Sequence, residues 1–163
     1  MTTTQSFSLR SVLEKDKLNG SNFLKWYRNL RIVLRQEERD YVLVTVLPEK
    51  PKTSAPHAER IAWYKHSNDR FNVSCLIRDT MNSGLKKQYE MVESPIEINT
   101  SLKGKFQERA LTERYQMVGS LIKCKLTKDG PVGAHIIKMM GYIDNLAKLD
   151  CPISQELAIE IIL

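Results

Sequence analysis

The cysteines and histidines are the residues of this chain best suited to metal or nucleophilic chemistry, and their spacing favours neither. Cys75, Cys124 and Cys151 stand far apart, as do His57, His66 and His135. A closed zinc site takes four such ligands, usually in short-range pairs. No metal and no cofactor are therefore expected. Three cysteines at wide spacing also fit reduced thiols better than a disulfide framework. Nucleophilic catalysis lacks its usual settings: there is no Gly-x-Ser-x-Gly turn and no phosphate-cradling glycine loop, and Asp79-Thr80-Met81 lacks the glycine of an aspartic protease. A non-enzyme is expected, with no small-molecule substrate.

The most pointed chemistry is electrostatic. Stepping about 100° per residue, a helix from Ser21 onward carries Lys25, Arg28, Arg31 and Arg35 on the face opposite Phe23, Trp26, Tyr27, Leu30, Val33 and Leu34. Such a face can neutralise the phosphates of RNA, or it can be a solvated surface paired with Glu37 and Glu38. A net charge of +6 favours polyanionic partners, although charge speaks to association rather than fold. Trp26, Tyr27, Trp63 and Tyr64 have rings that can stack on bases, but aromatics at helical spacing are ordinarily core. The adaptable Met139 and Met140 suit an interface, yet they fall on an apolar stripe that argues for burial.

These residues are placed by a series of amphipathic segments. The opening residues, 1–16, show no helical stripe and read as a flexible arm. Tyr41 to Val46 is a β-branched run that propensity assigns to a strand and context to a short packed helix. Pro48, Pro51 and Pro56 mark an exposed connection, after which a long helix runs to about Met81 with Trp63, Phe71, Ser74 and Ile77 near one face. Shorter helical pieces follow around Leu85 to Val92 and Ile98 to Phe106. Leu111, Tyr115, Val118, Leu121, Ile122 and Leu126 then repeat at helical steps. Beyond the turn at Asp129-Gly130-Pro131, a stripe of Val132, Ile136, Met139, Met140, Ile143, Leu146 and Ala147 predicts another helix, and Ser154 caps a last one. The fold class expected is all-α. No apolar run is long enough for a membrane span, and the polar start lacks a signal-peptide pattern, so a cytoplasmic address without membrane contact is expected. The close on Ile161-Ile162-Leu163 suggests a piece of a longer polyprotein.

The order of these segments resembles the N-terminal Gag region of plant copia-type LTR retrotransposons. Three passages carry the resemblance: Leu18-Asn19-Gly20-Ser21-Asn22-Phe23 with Trp26; Trp63 at the head of the long helix; and Lys128-Asp129-Gly130-Pro131-Val132, His135-Ile136, Leu146 to Leu149, and Pro152 to Glu156. It spans residues 15–163, and its weight lies in the order of mild motifs. Asp150-Cys151 departs from the glycine common in relatives. The resemblance implies a two-lobed, retroviral-capsid-like helical bundle. Residues 17–104 would form the first lobe and 105–163 the start of an incomplete second, with Phe23, Trp26, Trp63, Ile136, Ile143 and Leu146 as core signature. It also implies self-association into virus-like particles that package element RNA. Two other expectations stay open: a domesticated or truncated Gag-like module that binds Gag, RNA or a host partner without building particles, and a helix-turn-helix DNA binder.

Overall fold

The computed structural model describes residues 10–126 and 130–162, and it is all-α. The helices are α1 (Arg10–Lys15), α2 (Phe23–Gln36), α3 (His57–Asp79), α4 (Ser83–Gln88), α5 (Pro95–Leu102), α6 (Glu108–Lys123), α7 (Val132–Lys148) and α8 (Gln155–Ile162). A 3-10 turn occupies Asp40–Leu43 and a π turn Lys103–Gln107. The chain divides into two compact units, one of Met1–Asn19 with Trp26–Gly104 and one of Gly20–Lys25 with Lys105–Leu163. No helix among the described residues is long and apolar enough to cross a membrane.

The first unit packs α3 against α5 and the 3-10 turn. Its interior is built from Leu30, Val33 and Leu34 of α2, Val73 and Ile77 of α3, and Ile98 and Leu102 of α5. Each fully buried aliphatic contributes about 1.5–3 kcal/mol relative to exposure. Leu18 is wholly buried and tied to the end of α3: its amide donates to the Thr80 carbonyl at 2.8 Å, and its carbonyl accepts from Asn82 at 2.9 Å. Trp26 lies close by, its indole Nε1 donating to Thr80 Oγ1 at 3.3 Å. The Asn82 side chain caps α4 through the Leu85 amide, and Ser94 caps α5 through Glu97.

Several expectations are corrected here. Part of the supposed N-terminal arm is helix α1, held because Leu13 is buried and Arg10 pairs with Glu37; residues 1–9 lie outside the described set. Of the two forms expected for the β-branched run, the short packed helix is the one present, over Asp40–Leu43, and not the strand. Val42 and Leu43 are consecutive and both buried, which a strand exposing alternate faces cannot do, while Val44 and Val46 are exposed. On α3 the face turned inward carries Asp69, Val73, Leu76 and Ile77, not Phe71, which is 64% exposed. Trp63 is half-buried rather than core. It lies under the proline connection, donating from Nε1 to the Pro48 carbonyl at 2.9 Å with the Lys50 ammonium 5.7 Å from its ring.

The second unit packs α7 against α6 and α8. Leu121, Met139 and Leu146 form its buried centre, flanked by Val118, Tyr142, Ile143 and Ile153. The stripes read from sequence are only partly internal. Ile136 and Ile143 are half-buried, while Tyr115, Ile122, Val132, Met140 and Ala147 are exposed, because two helices and a short third cannot enclose every apolar position. Helix α7 ends in a left-handed turn at Asp150 (φ 59°), with the Cys151 amide donating back to the Leu146 carbonyl at 2.9 Å. That is a conformation glycine adopts without strain, so the departure at Asp150 leaves the turn in place. Arg114 reinforces it by donating to the carbonyls of Leu149 and Asp150 at 2.9 and 3.1 Å. Within this unit Gly20 adopts φ +93°, with Phe106 packed where a Cβ would stand, and the Phe106 ring meets Phe23 at 6.0 Å between centroids.

Candidate nucleic-acid interface

Helix α2 separates its two faces by simple periodicity, burying Leu30, Val33 and Leu34 and leaving the basic residues outside. Arg28 and Arg35 are exposed and Arg31 is half-buried in the first unit; Lys25 is exposed and belongs to the segment counted with the second unit. Arg31 Nη2 and Arg35 Nε each lie 3.6 Å from Asp40 Oδ2. One carboxylate between two guanidinium groups leaves a local excess of positive charge. Glu37, an expected partner of this face, turns elsewhere: it accepts from Arg10, with one contact at 2.7 Å, and from Arg39 at 3.2 Å. The Arg10 bonds chiefly, against the opposing effect of burial, hold the Glu37 carboxyl below the usual carboxylate range and raise Arg10. Glu38 sits at a left-handed position (φ 56°) where α2 ends.

Two residues of this surface are not evident from the sequence. Tyr27, assigned above to the apolar face, is half-buried and faces cations. Burial pushes its phenol up, but Arg31 and Lys103 together outweigh that and leave it below its ordinary value. Lys103, remote in sequence and placed by the π turn after α5, lies 5.2 Å from the Tyr27 ring centroid. No local signal in the sequence joins Lys103 to α2; only the packing of the first unit does. Lys103 and Arg31 thus bring two cations to Tyr27, on the helix that also carries Arg28 and Arg35.

The two sequence neighbours of Asp40 share a buried anchor. Asp69, with a side chain only 6% exposed, is held by Arg39 Nε at 3.1 Å and by the Tyr41 hydroxyl, which donates at 2.8 Å. Burial and then the Asp69 carboxylate push the Tyr41 phenol up to about 12. The anchor fixes the turn that carries Asp40 and so sets the charge balance at Arg31 and Arg35.

The remaining candidates fall apart in space or fall short in number. Phe23, Trp26 and Leu146 are buried, so neither Trp26 nor Phe23 offers a ring face to a ligand. Tyr64 is exposed and meets Trp63 edge-on at 5.3 Å. Cys124 Sγ and His135 Nδ1 do approach, at 3.9 Å, the long edge of a sulfur contact. No group of three or more His, Cys, Asp or Glu side chains is placed to hold a metal among the described residues. Comparison of the chain with protein-family models, curated proteins and solved structures returned no match.

Proposed function

We propose that this chain is a capsid-type structural segment like the Gag of a copia-type LTR retrotransposon, which works by self-association around RNA and performs no catalysis. The observation that carries the proposal is the surface of the second unit. Tyr115 is 81% exposed, Ile122 71% and Ile137 72%, on helices whose common core is small. Large apolar side chains left exposed in this way, on helices with so small a common core, suit an interaction site. Other copies of the chain are the partner, and closure of many weak contacts makes a stable shell. The basic strip of α2 holds RNA by neutralising phosphate, in the cytoplasm where the element's transcript is translated.

The resemblance supports the same reading in physical terms. In the Leu18 to Trp26 passage, Leu18, Phe23 and Trp26 are buried and Gly20 makes the positive-φ turn between them, so these four motif positions have a structural task. The test is size-exclusion chromatography with light scattering, followed by electron microscopy, on the full chain with and without single-stranded RNA. Assembly to large species that Ile137→Glu and Ile122→Glu abolish is expected. A strict monomer at every concentration, with RNA present, overturns the proposal.

A further inference from the structure

Helix α3 carries a second apolar seam that the first unit does not use. Ile61, Tyr64, Asn68, Phe71 and Cys75 follow one another at steps of three and four residues, the spacing of a coiled-coil seam. They lie away from the face that buries Asp69, Val73 and Ile77. Ile61 is 53% exposed, Tyr64 57% and Phe71 64%, and Asn68 is exposed between them. Beside Phe71, Met91 is 90% exposed across an open groove of about 310 Å³. The groove wall is rigid: Ser74 donates to the Glu93 carbonyl at 2.6 Å, and Arg78 to the carbonyls of Glu90 and Val92 at 3.2 Å. Ile61, Tyr64 and Phe71 are therefore displayed on a helix, with Met91 beside them on a turn tied to that helix by these bonds.

We infer that two copies of this chain pair through α3, antiparallel, about a two-fold axis at Asn68. The seam is a palindrome in kind. With Asn68 opposite Asn68 of the second copy, each Ile61 meets a Cys75, and each Tyr64, four residues before the axis, comes within one residue step of a Phe71, three after it. Two facing carboxamides satisfy each other's donors and acceptors, and a single polar residue in an apolar seam sets register and orientation. A parallel pair would instead stack Arg78 on Arg78 at the seam's end. The antiparallel pair separates those charges and opposes the helix dipoles.

The area fits a modest interface. Aromatic side chains bury ~150–250 Å² each when fully covered, so the exposed parts of Ile61, Tyr64, Phe71 and Met91 amount to roughly 500 Å² per copy. Two copies together then remove about 1,000 Å², the lower bound for a specific pairing. As a contact within a shell, the pairing rests on the function proposed above. As an association of two copies it does not.

Sedimentation equilibrium of the full chain, beside Phe71→Glu and Tyr64→Glu, tests the pairing. Both positions are exposed, so both variants keep the wild-type circular dichroism. Each substitution enters the two-fold interface twice, and the dimer dissociation constant is expected to rise by about a hundredfold. Bismaleimide cross-linking of Asn68→Cys, with the joined peptides read by mass spectrometry, is expected to link position 68 of one copy to position 68 of the other, and Tyr64→Cys is expected to give no link to itself. A dissociation constant unchanged by both glutamates overturns the pairing; self-links at position 64 as strong as at 68 overturn the antiparallel register. Ile137→Glu separates the two proposals. If it abolishes particles yet leaves the position 68 link intact, both stand; particles that survive Ile137→Glu but not Phe71→Glu sink the role given above to the second unit.

Discussion

Gly20 lies at φ +93°, and a Cβ added there would stand 3.0 Å from Phe106 Cε1. Gly20→Ala therefore meets two separate costs. An L-residue at positive φ costs about 1–2 kcal/mol. Pushing a methyl against a packed ring adds about 1–3 kcal/mol unless the ring can move away. Phe106 is not free to do so without disturbing its contact with Phe23, which is 1% exposed. The sum is about 2–5 kcal/mol, a large share of the ~5–15 kcal/mol that holds a typical domain, and it lowers the midpoint of thermal unfolding by roughly 4–20 °C. Differential scanning calorimetry with urea unfolding reads both quantities. A double-mutant cycle divides them: Phe106→Leu beside Gly20→Ala should recover the steric part and leave the backbone part. A loss below about 0.5 kcal/mol, the ordinary range for a surface change, would refute the assignment of Gly20 as the obligatory turn of the passage.

Four further outcomes follow from the same geometry. Asp69→Asn leaves Arg39 beside a neutral amide in a buried position and should destabilise the chain by about 3 kcal/mol in chemical unfolding, whereas Asp79→Asn, at an exposed pair, should cost less than about 1 kcal/mol. Above pH 10 an unfolded tyrosine ionises while Tyr41 keeps its proton up to about 12, so the folded state binds the extra proton and stability falls with rising pH across that window; Tyr41→Phe should flatten that limb of a pH series. Asp150→Gly removes a side chain from a left-handed turn and should stabilise the second unit by about 0.5–1 kcal/mol, read as a raised unfolding midpoint. Arg28→Gln and Arg35→Gln should each weaken single-stranded RNA binding whatever the sequence and lower the salt slope by up to about 0.7.

Periodicity announced the helices because burial on a 3.6-residue repeat is a one-dimensional property. Leu30, Val33 and Leu34 could be assigned to the inside from spacing alone, as could Met139 and Leu146. What spacing does not reveal is which of two apolar stripes on one helix finds a partner. Phe71 is as apolar as Val73 and Ile77, and Tyr64 nearly so, yet only Val73 and Ile77 are buried in the first unit. The same blindness applies to charge. Glu37 follows α2 directly and on spacing is its natural partner, but Arg10, distant in sequence, claims it with two bonds, and Asp40 takes its place. Lys103 was invisible for the equivalent reason: its position over Tyr27 depends on a π turn that no local propensity signals.

The two units differ in how well they enclose themselves, and that difference bears on what the chain does. In the first, buried residues come from every helix, and even a carboxylate is desolvated at Asp69 with its partners supplied. Such a site is tolerated only where the surrounding packing holds its partners in place, since a buried charge that loses its partner costs several kcal/mol. In the second, α6 and α7 share a centre of three buried residues while Leu111, Tyr115, Ile122, Ile137 and Met140 face solvent. About 25 cal/mol per Å² of apolar surface is left unrealised there. A binding surface must hold its energy in reserve in this way until a partner arrives. The first unit, already satisfied inside, is fitted to present fixed features, the α3 seam and the α2 cations. If the second unit associates as proposed, its unfolding midpoint should climb with protein concentration; pairing through the α3 seam should make that of the first climb too, and Phe71→Glu should remove only the latter rise.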